Sequence, residues 1–254
     1  MVRKASLKVV ERNENLLERI RQIKAQHPFW GYRRIWAWLY HHEKGLVNAK
    51  RVYRLMKTHD LLVKRNQQLK ATRTPPKSKP KADRPNQWWG IDMTKVLTGG
   101  GWVYITIVLD WYTKRVVGHH IGTQSKAQDW FSAVDMGLNT LFPQGAKGQG
   151  LSLMSDNGSQ PTSRRLMTSC AQVGIRQAFT SYNNPKGNAD TERFMRTMKE
   201  ECLWLEEWQS PDELERKLNE WIEFYNTRYL HSTLGYKPPV EFENEYYATL
   251  LKSA

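Results

Sequence analysis

Three acidic residues occupy positions that stability alone does not explain. Asp92 interrupts an apolar run, Trp89-Gly90-Ile91-Asp92-Met93-Thr94. Asp156 closes a short apolar segment in Met154-Ser155-Asp156-Asn157-Gly158-Ser159, and Glu192 follows Gly187-Asn188-Ala189-Asp190-Thr191. A β-strand disfavours aspartate, so an aspartate inside an apolar strand needs a partner. Three carboxylates brought to one point repel each other unless cations lie between them. Hard divalent cations such as Mg²⁺ or Mn²⁺ take oxygen ligands. Two such ions about 3.5–4 Å apart can activate an attacking oxygen and stabilise a leaving oxygen at phosphorus. Taken singly, a strand aspartate is usually a turn or edge residue, and a helix glutamate a solvated charge. The set is more specific than its members.

Basic residues lie near the last acid. Lys199 follows Glu192 by seven residues, nearly two helical turns, so the two side chains share a face about 10 Å apart along the axis. Arg196 lies between them. Phe194, Met195, Met198 and Cys202 form a neighbouring apolar stripe that would seat the helix on a sheet. Asp110 is expected to cap a turn between two strands, and Asp190 to serve the helix N-terminus. Asn157 and Gly158 permit a sharp turn beside Asp156. Asn183 to Gly187, with Lys186, form a polar loop ahead of the helix.

The elements that must position these residues alternate strand and helix. Strands are expected at Trp88–Val96, Trp102–Asp110 and Lys114–Thr123. A helix should begin at Ser125, with Gln128 completing a capping box, and bury Phe131, Val134, Leu138 and Leu141. A strand at Leu151–Ser155, a helix near Ser163–Val173, a strand near Ile175–Thr180 and a helix over about 189–205 follow. The last helix, 211–228, is opened by Ser210-Pro211-Asp212-Glu213. This order predicts a mixed five-stranded α/β sheet flanked by helices, as in RNase H-like folds.

Ahead of the sheet the chain is helical and basic. Residues 1–87 hold 22 Lys and Arg against 6 Asp and Glu, whereas 88–254 hold 17 against 19. That asymmetry suggests an arm for a polyanion, read here as nucleic acid, joined to a near-neutral domain. Leu16, Leu17, Ile20 and Ile23 repeat at helical spacing over 12–26. Tyr32–His42 is a second helix, with Ile35, Trp38 and Leu39 on one side. Asn48 can cap a third helix through about His59, with Val52, Leu55 and Met56 inward and Lys50, Arg51, Arg54 and Lys57 on the other face. Helix, turn, basic helix is the helix-turn-helix pattern; a small bundle with a solvated basic face would look the same. Residues 64–87 carry Pro75, Pro76, Pro80 and Pro85 and eight basic residues, an extended linker able to lie along phosphates. The expected organisation is 1–63 helical, 64–87 linker, 88–208 catalytic core and 209–254 a helical extension.

Composition excludes other classes. Of 254 residues, 39% are hydrophobic and 25% charged, which suits a folded chain. No stretch approaches the ~18 consecutive apolar residues of a membrane span. The start, Met1-Val2-Arg3-Lys4, lacks the apolar core of a secretory signal. Two cysteines, Cys170 and Cys202, are too few for a disulfide framework or a cysteine-based zinc finger, so a cytoplasmic location is expected.

Asp156 and Glu192 have 35 residues between them. Here the chain resembles the DDE recombinases, and more closely the second reading-frame product of bacterial insertion sequences of the insertion-sequence-three family. The matching blocks are His27-Pro28 with Gly31-Tyr32-Arg33-Arg34-Ile35, Trp89 to Thr94, Asp110 to Gly118, Ser155 to Gln160, Asn188 to Phe194 with Lys199-Glu200-Glu201, and Tyr225-Asn226 through His231-Ser232 to Pro238. The resemblance implies an RNase H-like core with Asp92, Asp156 and Glu192 as catalytic metal ligands for Mg²⁺ or Mn²⁺, two ions in the active complex. It implies DNA contact for Lys199 and, with the basic helices, for Arg196, Lys50, Arg51, Arg54, Lys57, Arg33, Arg34 and Lys186. The implied partners are double-stranded DNA at element ends and target, further copies of the chain in a synaptic dimer or larger complex, and an upstream reading-frame product. The chain departs from the family at Pro161, near His119, and at Tyr229-Leu230, where Arg-Pro is frequent. A non-catalytic DNA-binding regulator and a ribonuclease acting on RNA–DNA hybrids are the competing readings. The intact acid set argues against the first, and the basic front half with Lys199 against the second.

Overall fold

The structure, a computed structural model, describes residues 7–43, 45–63, 80–180 and 187–253. The chain divides into two compact units. The smaller holds α1 (Leu7–Gln26), α2 (Tyr32–His41) and α3 (Ala49–Thr58), together with Leu230–Lys237. Its core is the apolar set expected from helical spacing: Leu16, Leu17, Ile20 and Ile23 of α1, Ile35 and Leu39 of α2, and Val52 and Met56 of α3 are all buried. Trp30 is fully buried and stacks on His27 at 3.8 Å between ring centres. Asn48 caps α3 as expected, its side chain accepting from the Lys50 N–H at 2.8 Å. Leu55 is only half-buried, contrary to the expected inward set, because it faces a groove between α1 and α3.

The larger unit is built on a five-stranded mixed sheet, ordered β3-β2-β1-β4-β5. β1 (Trp88–Thr98), β2 (Gly101–Asp110) and β3 (Val116–Gly122) form an antiparallel meander. β4 (Ser152–Ser155) and β5 (Arg176–Phe179) add in parallel on the other side of β1. α4 (Ala127–Leu141) and α5 (Arg164–Gln172) share a core with the sheet through Trp89, Ile91, Val134, Leu153, Leu166 and Cys170. This is the expected α/β architecture.

The start of α4 differs from expectation by two residues. The Lys126 N–H donates to Asp129 Oδ2 at 2.6 Å, so Asp129 rather than Gln128 closes the first turn. The buried face shifts accordingly to Trp130, Ala133, Val134, Gly137 and Leu138, while Phe131 and Leu141 are half-buried. The tryptophan brings the largest apolar surface in the helix, and its burial decides which face turns inward.

α6 (Ala189–Met198) does not continue as α-helix to 205. Residues Lys199–Leu203 form a π turn, and the Trp204 N–H donates to the Lys199 carbonyl at 2.9 Å. The wider turn directs Glu201 inward, where it is buried and accepts from the Tyr229 hydroxyl at 2.9 Å. α7 (Pro211–Thr227) is capped by Ser210, as read from the sequence. Asn226 fixes α7 to the edge of the sheet. Its side chain both accepts from the Val116 N–H, at 2.9 Å, and donates to the Val116 carbonyl, at 3.0 Å, as a further strand would. α8 (Pro239–Ser253) follows, and its Glu243 pairs with Arg115 at 2.5 Å. Among the described residues no helix is long and apolar enough to cross a membrane.

Candidate active site and nucleic-acid interface

Asp92 lies in β1, the central strand, and is half-buried. β1 pairs with β4 from Trp88↔Ser152 to Gly90↔Met154. Continued two residues past that ladder, the register brings Asp156 level with Asp92. Strands lie ~4.8 Å apart where they pair, and this ladder ends two residues short of both acids. β1 itself runs on past Asp92, paired with β2 through Asp92↔Ile107 to Thr98↔Gly101. Asp156 is exposed, and its Oδ1 accepts from the Gly158 N–H at 3.0 Å, the turn expected of Asn157-Gly158.

Glu192 is delivered by the first turn of α6, whose N-terminus is tied down at three points. The Asn188 amide donates to the Ile91 carbonyl, next to Asp92, at 3.1 Å. The Trp111 indole N–H donates to the Thr191 hydroxyl at 3.0 Å, both residues buried. Lys114, in the β2–β3 turn, pairs with Asp190 at 3.3 Å. Helix and strand meet closely because residue 90 is glycine. A Cβ there would stand 1.9 Å from the Thr191 hydroxyl oxygen and 2.3 Å from the Trp111 indole nitrogen. Glu192 itself stays exposed, while Phe194, Met195, Met198 and Cys202 turn inward as their spacing requires.

The electrostatics tie the group together. Burial pushes the Asp92 carboxyl up to about 6, and the charges of Asp156 and Glu192 push the same way. A backbone N–H, that of Met93, and the Lys199 ammonium oppose the rise. Asp92 thus feels both other acids and Lys199 at once. Among the described residues no three His, Cys, Asp or Glu side chains stand close enough together to form a finished ligand cluster. What joins the three acids is their charge: Asp156 and Glu192 both act on Asp92, and Lys199 acts against them.

Asp110 is the turn cap expected of it. It is 1% exposed and accepts from the N–H groups of Asn86, Tyr112 and Thr113 at 2.5–2.9 Å. Asp190 does more than serve the helix N-terminus, since it also meets Lys114. Trp111, Lys114, Asn188 and Thr191 fall within the matching blocks, but their residue types assign none of them a role; glycine at 90, two residues before Asp92, is the one local sign of a close helix approach.

The basic residues separate into groups. Arg196 is exposed and pairs with Glu200, one turn on, at 2.8 Å. Lys199 is half-buried on the side of Asp92. In the smaller unit Lys50, Arg54 and Lys57 are exposed on α3, but Arg51 is not on that open face. It is half-buried, with its Nε donating to Asn13 of α1 at 2.9 Å. Residue 51 lies about 100° around the helix from residue 50, which turns it toward α1. Arg33 is exposed against the Tyr32 ring, and Arg34 lies over Trp30, each with its guanidinium 5.6–5.7 Å from the ring centre. Lys186 and most of the basic linker, 64–79, lie outside the described residues.

Comparison with known proteins gives the family. A family described as integrase core domain matches residues 82–185, a second of the same description matches 173–239, and an HTH-like domain matches 11–68. The chain is 31% identical to the putative transposase InsK of insertion element IS150 from Escherichia coli, over 86% of this chain and 78% of that one. It is 30% identical to the transposase of IS904 from Lactococcus lactis, over 96% and 98%. Among solved structures, the simian T-cell lymphotropic virus intasome in complex with a PP2A regulatory subunit matches with a TM-score of 0.50 at 16% identity. That match covers 82% of this chain and 73% of that one, and it supports the fold.

Proposed function

Since the chain belongs to the insertion-sequence transposases with an integrase core and an HTH-like domain, we propose that Asp92, Asp156 and Glu192 are its catalytic acids. They would hold two Mg²⁺ or Mn²⁺ ions for DNA cleavage and strand transfer. The observation that carries this is the single field in which Asp92 senses both other acids and Lys199. All three donors are carboxylate oxygens, which suits hard cations. When bound, such cations neutralise charge on the attacking and leaving oxygens of an in-line displacement at phosphorus.

The chain's own residues do the rest. Asp92, ionised above about pH 6, is ready to act as a ligand at neutral pH. Lys199 sits on the same side of α6 and holds a phosphate of the scissile strand. The ties of Asn188, Thr191 and Asp190 keep Glu192 over β1. Water attacks the phosphodiester at the element end; the P–O3′ bond breaks and leaves a 3′-hydroxyl. That hydroxyl attacks a phosphodiester in the target; a new P–O3′ bond forms as the target's own P–O3′ bond breaks and releases a target 3′-hydroxyl, and the same carboxylates would serve both displacements. The helices of residues 1–63 and the linker 64–87 hold the element ends, ahead of a core at 88–208 and its extension at 209–254. At least two copies assemble to bring two ends together, with the upstream reading-frame product as a further partner.

The test is a labelled duplex carrying the element end, incubated with the chain and Mg²⁺ or Mn²⁺. Nicking at the end and joining to a second duplex are expected. Binding without either product, even after the upstream product is added, would move the reading to a non-catalytic regulator.

The pH dependence has a definite sign. Asp92 keeps its proton in the folded chain up to about pH 6, whereas an unfolded carboxyl loses it near pH 4. Between those values the unfolded chain binds fewer protons, so metal-free stability falls as pH rises. Asp110, raised by burial to about 6 as well, adds to the same slope. A cation must displace the Asp92 proton to bind. Melting curves with and without Mn²⁺ are therefore expected to separate above about pH 6 and to converge by about pH 5. A separation unchanged across that range would remove Asp92 from the ligand set.

A further inference from the structure

The groove between α1 and α3 has a volume of about 360 Å³ and is lined by Arg12, Asn13, Arg51, Arg54 and Leu55. Three of the five residues lining it are arginines, and no carboxylate is among the described residues that line it. Beside Leu55 the lining consists of three arginines and an asparagine, whose N–H groups are donors an anion can accept from.

The helix geometry separates this groove from the open face of α3. At about 100° per residue, Lys50, Tyr53 and Lys57 fall on one side, and all three are exposed. Arg51 and Leu55 turn toward α1, and Arg54 lies at the border between the two faces. Asn13 holds the Arg51 side chain from within the protein, at 2.9 Å, which fixes the guanidinium before any ligand arrives. A fork held in place suits a phosphate, which arginine meets with two parallel hydrogen bonds. Phosphate contacts set the position of a protein on a duplex, while base contacts give sequence preference.

We propose that this groove is a seat for one backbone phosphate of the bound duplex, gripped by Arg12, Arg51 and Arg54, and that it sets the register of α3 without reading bases. The open face of Lys50, Tyr53 and Lys57 is then left for the base edges. The proposal rests on DNA binding by the helical unit and is independent of the metal-site reading. The test is accordingly made on the full chain in chelator, where no cleavage occurs.

Affinity is measured over a KCl series on two duplexes of equal length, one carrying the element end and one unrelated. The double variant Arg12→Ala/Arg51→Ala is expected to weaken both to the same degree. It should also make the slope of log K against log [salt] shallower by about 0.9, the contribution of one phosphate. Arg51→Lys keeps the charge and loses the fork, so its slope stays near the parent's while affinity falls. Arg12→Ala alone, at an exposed position, is expected to change slope and affinity in the same direction. It preserves the test where loss of the Asn13 contact unfolds the double variant. An unchanged slope, or a loss confined to the element-end duplex, would overturn the proposal. So would inorganic phosphate raising the melting temperature of the parent but not of the double variant while the DNA slope stays fixed, since the groove would then serve free phosphate.

Discussion

Replacing Asp92 with asparagine is expected to give a chain that is more stable than the parent and inactive. Asparagine keeps the shape and removes the charge. The parent carboxyl is held up at about 6 by burial and by the charges of Asp156 and Glu192, so its ionised form is disfavoured in the fold. Removing it should stabilise the metal-free protein at neutral pH by roughly 1–2 kcal/mol. The same change removes a proposed cation ligand, and nicking and joining are expected to fall on the order of a thousandfold or more. Asp156→Asn and Glu192→Gln should lose activity to a similar degree. Their stability gain should be smaller, since both residues are exposed. The paired readout is melting temperature and product formation on one duplex. A variant at residue 92 that melts lower than the parent, or that still joins DNA, would contradict the assignment.

The second large effect is expected from Gly90→Ala, a change of one methyl group. That methyl would meet the Thr191 hydroxyl at 1.9 Å, the Trp111 indole nitrogen at 2.3 Å and the Asn188 side chain at 2.7 Å. All three belong to the ties that hold α6 on the sheet. The helix must move off, and Glu192 with it. Overpacking of this kind costs about 1–3 kcal/mol. A shift of about 1 Å at a reacting centre costs about a hundredfold in rate. A fall in activity is therefore expected in a chain that still folds, together with a higher Mn²⁺ concentration for half-maximal rate. Duplex binding in chelator should be unchanged. Full activity at the parent's Mn²⁺ requirement would show that the close approach of α6 is not what positions Glu192.

Much of this was legible in the sequence, and the exceptions have physical causes. Strong β composition placed β2 within a residue, and the Ser210-Pro211 signal placed the start of α7. Asp92, Asp156 and Glu192 stood out because an acid in or beside an apolar run is costly, and the charges of Asp156 and Glu192 both act on Asp92. The start of α4 was misplaced because Ser125 and Gln128 form as good a local signal as Lys126 and Asp129. Burial of Trp130 decides between them, and burial is a property of the whole fold. Arg51 was grouped with its neighbours on α3 because charge alone does not say which helix a side chain meets. Asn226 looked like one polar residue in a motif, since its use as a substitute strand depends on an edge more than a hundred positions away. The three ties on α6 were invisible for the same reason.

The π turn at Lys199–Leu203 bears on how this sequence can change over generations. An ordinary helix transmits the gain or loss of one amino acid as a rotation of everything beyond it, by about 100°. The wide turn already holds one residue more than α-helical winding would use, and it lies between the stretch carrying Glu192 and the stretch carrying Glu201. Gaining or losing a codon there alters how Glu201 and Tyr229 meet and leaves the orientation of Glu192 untouched. The half of the helix that carries Glu192 is thereby insulated from changes of length in the half that packs near α7.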